Sequence, residues 1–418
     1  MLSRLSPETF RLPIEKIRAG YKSDVYFNRT KEILRQDKHN PKVTMQVFQK
    51  YDRAIICGAD HALAILKAGI GHYENPEKAE QLFQKYRKLE NEAYRKWLVK
   101  ARLSWDEYAK EGKKVYEVSQ ELDRLWVSTI DDVKISALHD GDQVASRETV
   151  MFIEGPYQEF AILETLYLGA LTDGTMVATN ARQVVEAAGD TPVLMFGARH
   201  KAPEGQAGDG YAAFIGGAKG ISTPEQGEYW GSNAQGTMPH AGIAVFGGNT
   251  VLASEKFDQY INADKTKSRV NVIALVDFDN DCVGTSLAVA NRLGSRLYGV
   301  RLDTSETMTD KSIQEELDRG VAIAESDRHG VSPQLVWLVR QALDKAGHQH
   351  VRIAVSGGFT PEKITRFKKL QVPVDLFGVG SAFYLNPTKF EYTADIVQPV
   401  GKKGRPYRPN DRLEVVKF

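Results

Sequence analysis

From residue 193 onward, apolar runs of strand length alternate with stretches whose apolar positions recur every three or four residues. The short runs are residues 192–196, 212–215, 270–276, 296–300, 351–355 and 374–377. Each ends in small or polar residues, the pattern of buried parallel strands with functional ends. Ser332 and Pro333 open a helix with Leu335, Leu338, Val339 and Leu343 facing inward, and Gly347 closes it. Thr360 is an N-cap and Pro361 a first helical residue, followed by Ile364, Phe367 and Leu370 on one face. Repeated strand–helix units predict parallel strands joined by right-handed crossovers. Polar residues follow nearly every strand, which favours a (β/α) barrel over a doubly wound sheet with one switch point.

The first part of the chain is patterned differently. Residues 29–36 and 57–66 read as helices, and residues 42–51 alternate as a strand. Residues 76–101 form a long amphipathic helix on the spacing of Leu82, Tyr86, Leu89, Ala93 and Trp97, with a second helix over 108–125. Residues 139–155 place turn residues between short apolar runs, as in a small sheet. Gly155-Pro156 then marks a junction before an apolar helix at 163–171. The pattern predicts an α/β chain with a first domain up to the Gly155-Pro156 junction and a (β/α) barrel after it.

Composition narrows the functional classes. The 418 residues are 42% hydrophobic and 26% charged, with a net charge of +1, ordinary for a globular protein and unlike a nucleic-acid or membrane binder. The two cysteines, Cys57 and Cys282, exclude a multi-cysteine zinc site and argue against a disulfide framework. No apolar run is long enough to span a bilayer, and the first twenty residues lack the apolar segment of a secretory signal. A cytoplasmic enzyme is the expectation.

The chemistry lies at the strand ends. Ser356-Gly357-Gly358 and Gly378-Val379-Gly380-Ser381 are glycine turns one βα unit apart, able to aim backbone N–H groups at one phosphate. A single such turn would be an ordinary βα connection. His240, in the small-residue run 236–241, is a candidate acid–base or nucleophilic group, although a lone histidine is more often structural. Asp277 ends the following strand run and is placed to orient it. Arg301 and Asp303, alternate residues on one strand, can reach one ligand or simply pair with each other. Phe196 and Arg199 offer an aromatic face beside a cation, which suits a flat anionic ring. The segment 201–210 receives no role.

These residues fall within FGARHKAP (196–203), FIGGAKGIST (214–223), GTMPHAG (236–242), LVDFD (275–279), GVRLD (299–303), AVSGGF (354–359) and FGVGS (377–381). In that order, with DVYF (24–27) and residues 154–172, they resemble the nicotinate phosphoribosyltransferase family of type II phosphoribosyltransferases. The resemblance implies an α/β fold with an N-terminal α/β sandwich domain over 1–155, joined by 395–418, and an irregular (β/α) barrel over 156–394, and it implies nicotinate and phosphoribosyl pyrophosphate as substrates. It also implies coupled ATP hydrolysis through a phosphohistidine, Mg²⁺ on the phosphates, and a head-to-tail homodimer with shared sites. It assigns phosphorylation to His240 with Asp277 as partner. Ring stacking falls to Phe196 and, from the neighbouring subunit, to Tyr26. Ring-substrate contact falls to Arg199, Ser222 and Thr223, and the ribose–pyrophosphate end to Arg301 and Asp303. The 5′-phosphate goes to Ser356, Gly357, Gly358, Gly378, Gly380 and Ser381.

Nicotinamide-using relatives carry an Asp where this chain has Ser222. A hydroxyl donates to a carboxylate that an Asp would repel, so nicotinate is expected over nicotinamide. The C-terminus lacks the cysteine knuckle of some relatives, and His200 stands where a second basic residue is common. The rival readings are a quinolinate or nicotinamide phosphoribosyltransferase, a sugar-phosphate aldolase or isomerase, and a non-catalytic sensor of phosphoribosyl ligands. The histidine of GTMPHAG argues against quinolinate. No convincing Lys or Glu at a strand end supports an aldolase or isomerase.

Overall fold

A computed structural model describes residues 3–99, 104–264, 266–401 and 404–418. Contacts divide the chain into two compact units, Met1–Thr175 with Thr388–Phe418, and Met176–Pro387. The division falls inside the helix Glu164–Ala188, past Gly155-Pro156, which instead ends the strand Thr149–Pro156. That helix is longer than the apolar run 163–171 because Val177, Ala178, Ala181, Val184 and Ala188 continue a buried face at three- and four-residue spacing.

In the first unit a five-stranded antiparallel sheet has the order Tyr392–Gln398, Lys42–Gln49, Thr149–Pro156, Lys134–Ala137, Glu414–Val415. Lys42–Gln49 is flanked on both sides, and seven of its eight residues are buried despite their alternation. Its polar residues stay satisfied: Gln46 Oε1 accepts the Arg408 N–H at 2.8 Å, and Gln49 Nε2 donates to Tyr51 O at 2.6 Å. Leu63 and Leu66 of the helix Ala59–Gly69 share one core with Val47, Ile135 and Ile153. The helices Pro76–Val99 and Trp105–Arg124 bury Leu82, Phe83, Val118 and Leu122 in a core of their own. Trp97, expected on the buried stripe, is exposed; residues 100 and 101, expected to continue the first of these helices, lie outside the described residues.

Beside the Ala59–Gly69 helix, Asp140 accepts the Ala59 N–H at 2.8 Å, and Asp60 pairs with Arg4 at 2.9 Å. Burial, with the Asp60 charge adding to it, pushes the Asp140 carboxyl from 3.8 up to about 8. The folded chain therefore keeps a proton that the unfolded chain sheds above about pH 4. This contribution to stability is full below about pH 4 and is lost as pH rises toward about 8. Asp140→Asn keeps the acceptor for Ala59 without the charge. Thermal melts between pH 5 and 8 should show a smaller downward trend for the variant than for the unaltered protein; parallel curves would contradict the assignment.

The second unit holds a six-stranded sheet in the order Val272–Leu275, Leu297–Leu302, Arg352–Val355, Leu376–Val379, Val193–Met195, Gly220–Ile221. All neighbours are parallel. The last strand of this unit, Leu376–Val379, pairs with its first, Val193–Met195, which a barrel requires and an open doubly wound sheet does not. The sheet is open between Gly220–Ile221 and Val272–Leu275, and the connection across that opening carries His240. It is the curled parallel half-barrel that the sequence led us to expect.

One expected strand is a helix. Residues 212–215 belong to Gln206–Gly216, and Gly217 ends that helix in the left-handed region at φ 107°. The strand is Gly220–Ile221. Thr360 caps its helix as expected, accepting the Lys363 N–H at 3.3 Å, and Ile364 and Phe367 are buried. Leu370 lies past the last helical turn and is 49% exposed. In Pro333–Lys345 the buried face is Leu335, Val336, Val339 and Leu343, with Leu338 only half-buried.

Candidate active site

A cavity of about 620 Å³ opens in the second unit, lined from five strand ends and from the loop 235–241. Its volume is that of a site for a small organic ligand. Phe196, Arg199, Ser222, His240, Arg301, Asp303, Ser356, Gly357, Gly358, Gly378, Gly380 and Ser381 all line it.

His240 begins a short helix on the connection that crosses the opening, and its ring is half-exposed. Nε2 lies 3.1 Å from Asp277 Oδ2, just beyond the strand Val272–Leu275. With Nε2–H donated to the carboxylate, Nδ1 keeps its lone pair. Burial raises the Asp277 carboxyl above its ordinary value, and the His240 hydrogen bond pulls the other way. Asp277 Oδ1 is buried with no hydrogen-bond partner among the described residues.

Arg301, the penultimate residue of Leu297–Leu302, has a side chain only 14% exposed. Burial lowers its guanidinium from the ordinary value, opposed by the charges of Asp303 and Asp277. It stands 3.6 Å from Asp303, and its Nε has no partner among the described residues. The ion pair is therefore loose, and the guanidinium keeps unused donor capacity. Asp303 also accepts a 2.6 Å hydrogen bond from Ser356, which ties two strand ends together. Gly357 and Gly358 follow at φ 87° and 67°, where a side chain would be strained.

Phe196 directly follows the strand Val193–Met195, with the Arg301 guanidinium 5.9 Å from its ring centre. A Cβ on Gly378 would stand 2.5 Å from that ring, so the Gly378 position is fixed by the aromatic face. Arg199 and His200 are exposed at the rim. Thr223 does not share the position of Ser222: its hydroxyl donates to Gln206 at 2.9 Å. Tyr26 belongs to the other unit, on the helix Val25–Gln36, and the residue is 57% exposed.

Several residues around the cavity were not anticipated. The segment 201–210 is anchored: Lys201 pairs with Asp209 at 2.8 Å, and Tyr384 donates to the same carboxylate at 3.1 Å. Lys363, one turn into the helix after the first glycine turn, donates to Gly357 O at 3.3 Å. Its place in a first helical turn after two glycines was the available signal. Thr237 Oγ1 is buried with no partner among the described residues. Gln226, wholly buried behind Ser222, left no mark on the hydrophobic pattern. Among the described residues no group of three or more His, Cys, Asp or Glu is placed to hold a metal ion.

Comparison with known proteins gives the class. Two family models match in tandem: the N-terminal domain of quinolinate phosphoribosyl transferase over residues 106–174, and its C-terminal domain over 177–388, just over half of the chain. The chain belongs to the quinolinate phosphoribosyl transferase family, whose type II phosphoribosyltransferase fold the curled parallel sheet displays.

The similarities within that class are more particular. A nicotinate phosphoribosyltransferase of Mycobacterium tuberculosis is 28% identical over 251 residues, 59% of this chain and 49% of its own length. One from Bacillus subtilis is 24% identical over 249 residues, 59% of this chain and 44% of its own. The chain thus spans about half the length of the curated relatives it matches. The crystal structure of a nicotinate-nucleotide pyrophosphorylase from Pyrococcus furiosus is 28% identical, with a TM-score of 0.67, over 96% of this chain and 84% of that one. Human nicotinic acid phosphoribosyltransferase shares the fold at 15% identity and a TM-score of 0.55, over 91% of this chain and 75% of its own. No helix of the described residues is long and apolar enough to cross a membrane.

Proposed function

We propose that this chain is a nicotinate phosphoribosyltransferase, joining nicotinate to phosphoribosyl pyrophosphate to give nicotinate mononucleotide and pyrophosphate. The observation that carries the reading is one cavity that gathers an aromatic face, a buried arginine with free donor capacity and a positive-φ glycine turn. The names of the curated relatives add to it.

Displacement at the ribose carbon passes through an oxocarbenium-like state, so the site must orient two reactants and receive the charge of a leaving pyrophosphate. Phe196 stacks the pyridine ring with its nitrogen toward the ribose, and Ser222 and Arg199 take the ring carboxylate. Gly357, Gly358, Gly380 and Ser381 hold the 5′-phosphate, helped by Lys363. Arg301 receives the pyrophosphate, while Asp303 orients Arg301 and the ribose hydroxyls. The nitrogen lone pair forms the new N–C bond as the C–O bond to pyrophosphate breaks. Asp277, through its unpartnered Oδ1, and Asp303 suit Mg²⁺ that arrives on the phosphates, which would neutralise leaving-group charge.

ATP coupling is part of the proposal. The free His240 Nδ1 attacks the γ-phosphorus, the bond to the bridging oxygen breaks, ADP leaves, and Asp277 steadies the imidazolium through Nε2–H. The exposed Tyr26 ring is proposed to cover the pyridine of a neighbouring copy, which makes the working unit a homodimer.

Quinolinate is the second reading, favoured by the family model over residues 177–388. The deciding experiment supplies phosphoribosyl pyrophosphate and Mg²⁺ with nicotinate, nicotinamide or quinolinate, with and without ATP, and identifies the nucleotide formed. Turnover of nicotinate well ahead of the other two, faster with ATP, is expected. Quinolinate turnover with release of CO₂ would move the assignment to the second reading.

A further inference from the structure

Ser222 lines the cavity, but its hydrogen-bond partner lies in the protein. Gln226 Oε1 accepts from three donors: Ser222 N–H at 3.0 Å, Ser222 O–H at 3.2 Å and Thr223 N–H at 3.2 Å. An amide oxygen has two lone pairs, so one donor is surplus. The two N–H groups are fixed by the main chain, whereas a hydroxyl rotates about its C–O bond. The surplus donor is therefore the Ser222 hydroxyl, the one on a side chain that lines the cavity.

Gln226 itself is held on every side. It is wholly buried, with Nε2 3.4 Å from Met195 Sδ. Its N–H donates to Thr223 Oγ1 at 3.3 Å, and its carbonyl accepts from Trp230 Nε1 at 2.9 Å. A Cβ on Gly210 would stand 2.1 Å from that carbonyl oxygen, so the close packing there needs a glycine.

We propose that Gln226 is a specificity-determining positioning residue: its over-subscribed oxygen fixes the Ser222 loop by two N–H bonds and leaves the Ser222 hydroxyl free to donate to a ring carboxylate. The inference rests on the nicotinate reading and deepens it. A carboxylate entering the cavity takes the Ser222 proton as a charge-assisted bond while Gln226 remains satisfied. A carboxylate in place of the amide would behave differently. With two oxygens and about four lone-pair sites it accommodates all three donors and holds the hydroxyl most strongly. Ser222 would then present only lone pairs to the cavity, which suits an amide N–H and opposes a carboxylate.

The test uses the full chain and steady-state kinetics with nicotinate and nicotinamide. Gln226→Glu should raise the KM for nicotinate at least tenfold with kcat within about threefold, so that the nicotinate-to-nicotinamide ratio of kcat/KM falls. Gln226→Met removes the acceptor but leaves the hydroxyl free; both KM values should rise together and the ratio should hold. A residue that only supports the fold would move the two variants alike. Ser222→Ala should lower the ratio, Ser222→Thr should restore it, and Gln226→Glu added to Ser222→Ala should lower it no further. An unchanged ratio in Gln226→Glu, or an additive effect in the double variant, overturns the proposal. If the buried carboxylate blocks folding, the Ser222→Ala and Ser222→Thr pair decides, and equal ratios in both overturn it. An unaltered protein that turns over nicotinate while the variants disobey removes this inference alone; an unaltered protein that leaves nicotinate untouched removes the functional reading and this inference with it.

Discussion

Arg301→Met is expected to lower kcat/KM for phosphoribosyl pyrophosphate by about a thousandfold, roughly 4 kcal/mol of transition-state stabilisation, the upper range for removing one buried donor aimed at developing charge. Arg301 is the buried cation of the cavity, and its Nε has no partner among the described residues. Its loss also removes a positive charge that interacts with both Asp303 and Asp277, so phosphate binding suffers along with catalysis. Arg301→Lys should recover little, because an ammonium cannot reproduce the planar two-pronged contact to a phosphate. Steady-state rates with saturating nicotinate give the answer, beside a thermal melt that shows the variant folded. A loss under tenfold would mean that Arg301 serves only its ion pair with Asp303.

His240→Ala should abolish the stimulation by ATP while slower, ATP-independent turnover remains. The reason is geometric: the ribose chemistry needs no covalent protein nucleophile, whereas phosphoryl capture needs the free Nδ1. With γ-labelled ATP the unaltered protein should carry an acid-labile, base-stable phosphate that the variant lacks. Asp277→Asn should label more slowly, because a neutral amide stabilises the imidazolium less than the carboxylate 3.1 Å from Nε2. Equal labelling of His240→Ala would place the phosphoryl group elsewhere and break the assigned coupling.

Much of the site was legible because strand ends announce themselves. A β-branched run followed by Gly-Gly, or by alternating Arg and Asp, carries its geometry in the sequence, and Ser356 to Gly358, Arg301 and Asp303 stand where those motifs put them. Residues 212–215 misled because a four-residue apolar run is compatible with either element, and the glycines after it end a helix as readily as a strand. Leu370 misled because periodicity does not tell where a helix stops. Gln226 was out of reach for another reason: its importance lies in three donors converging on one oxygen, two from main chain, and no residue pattern encodes that convergence. Asp209 was hidden likewise, since its partners Lys201 and Tyr384 are far apart in sequence. In the first unit the strand Lys42–Gln49 was found but its full burial was not. That burial depends on Tyr392–Gln398 and Thr149–Pro156 closing over it from distant parts of the chain.

The most direct test of the central claim is a crystal structure of this protein soaked with nicotinate mononucleotide. The account predicts the pyridine ring against Phe196, its carboxylate at Ser222 and the phosphate on the Gly357–Gly358 and Gly380–Ser381 backbone. A nucleotide bound with its phosphate away from both glycine turns, or no binding in this cavity, would contradict it.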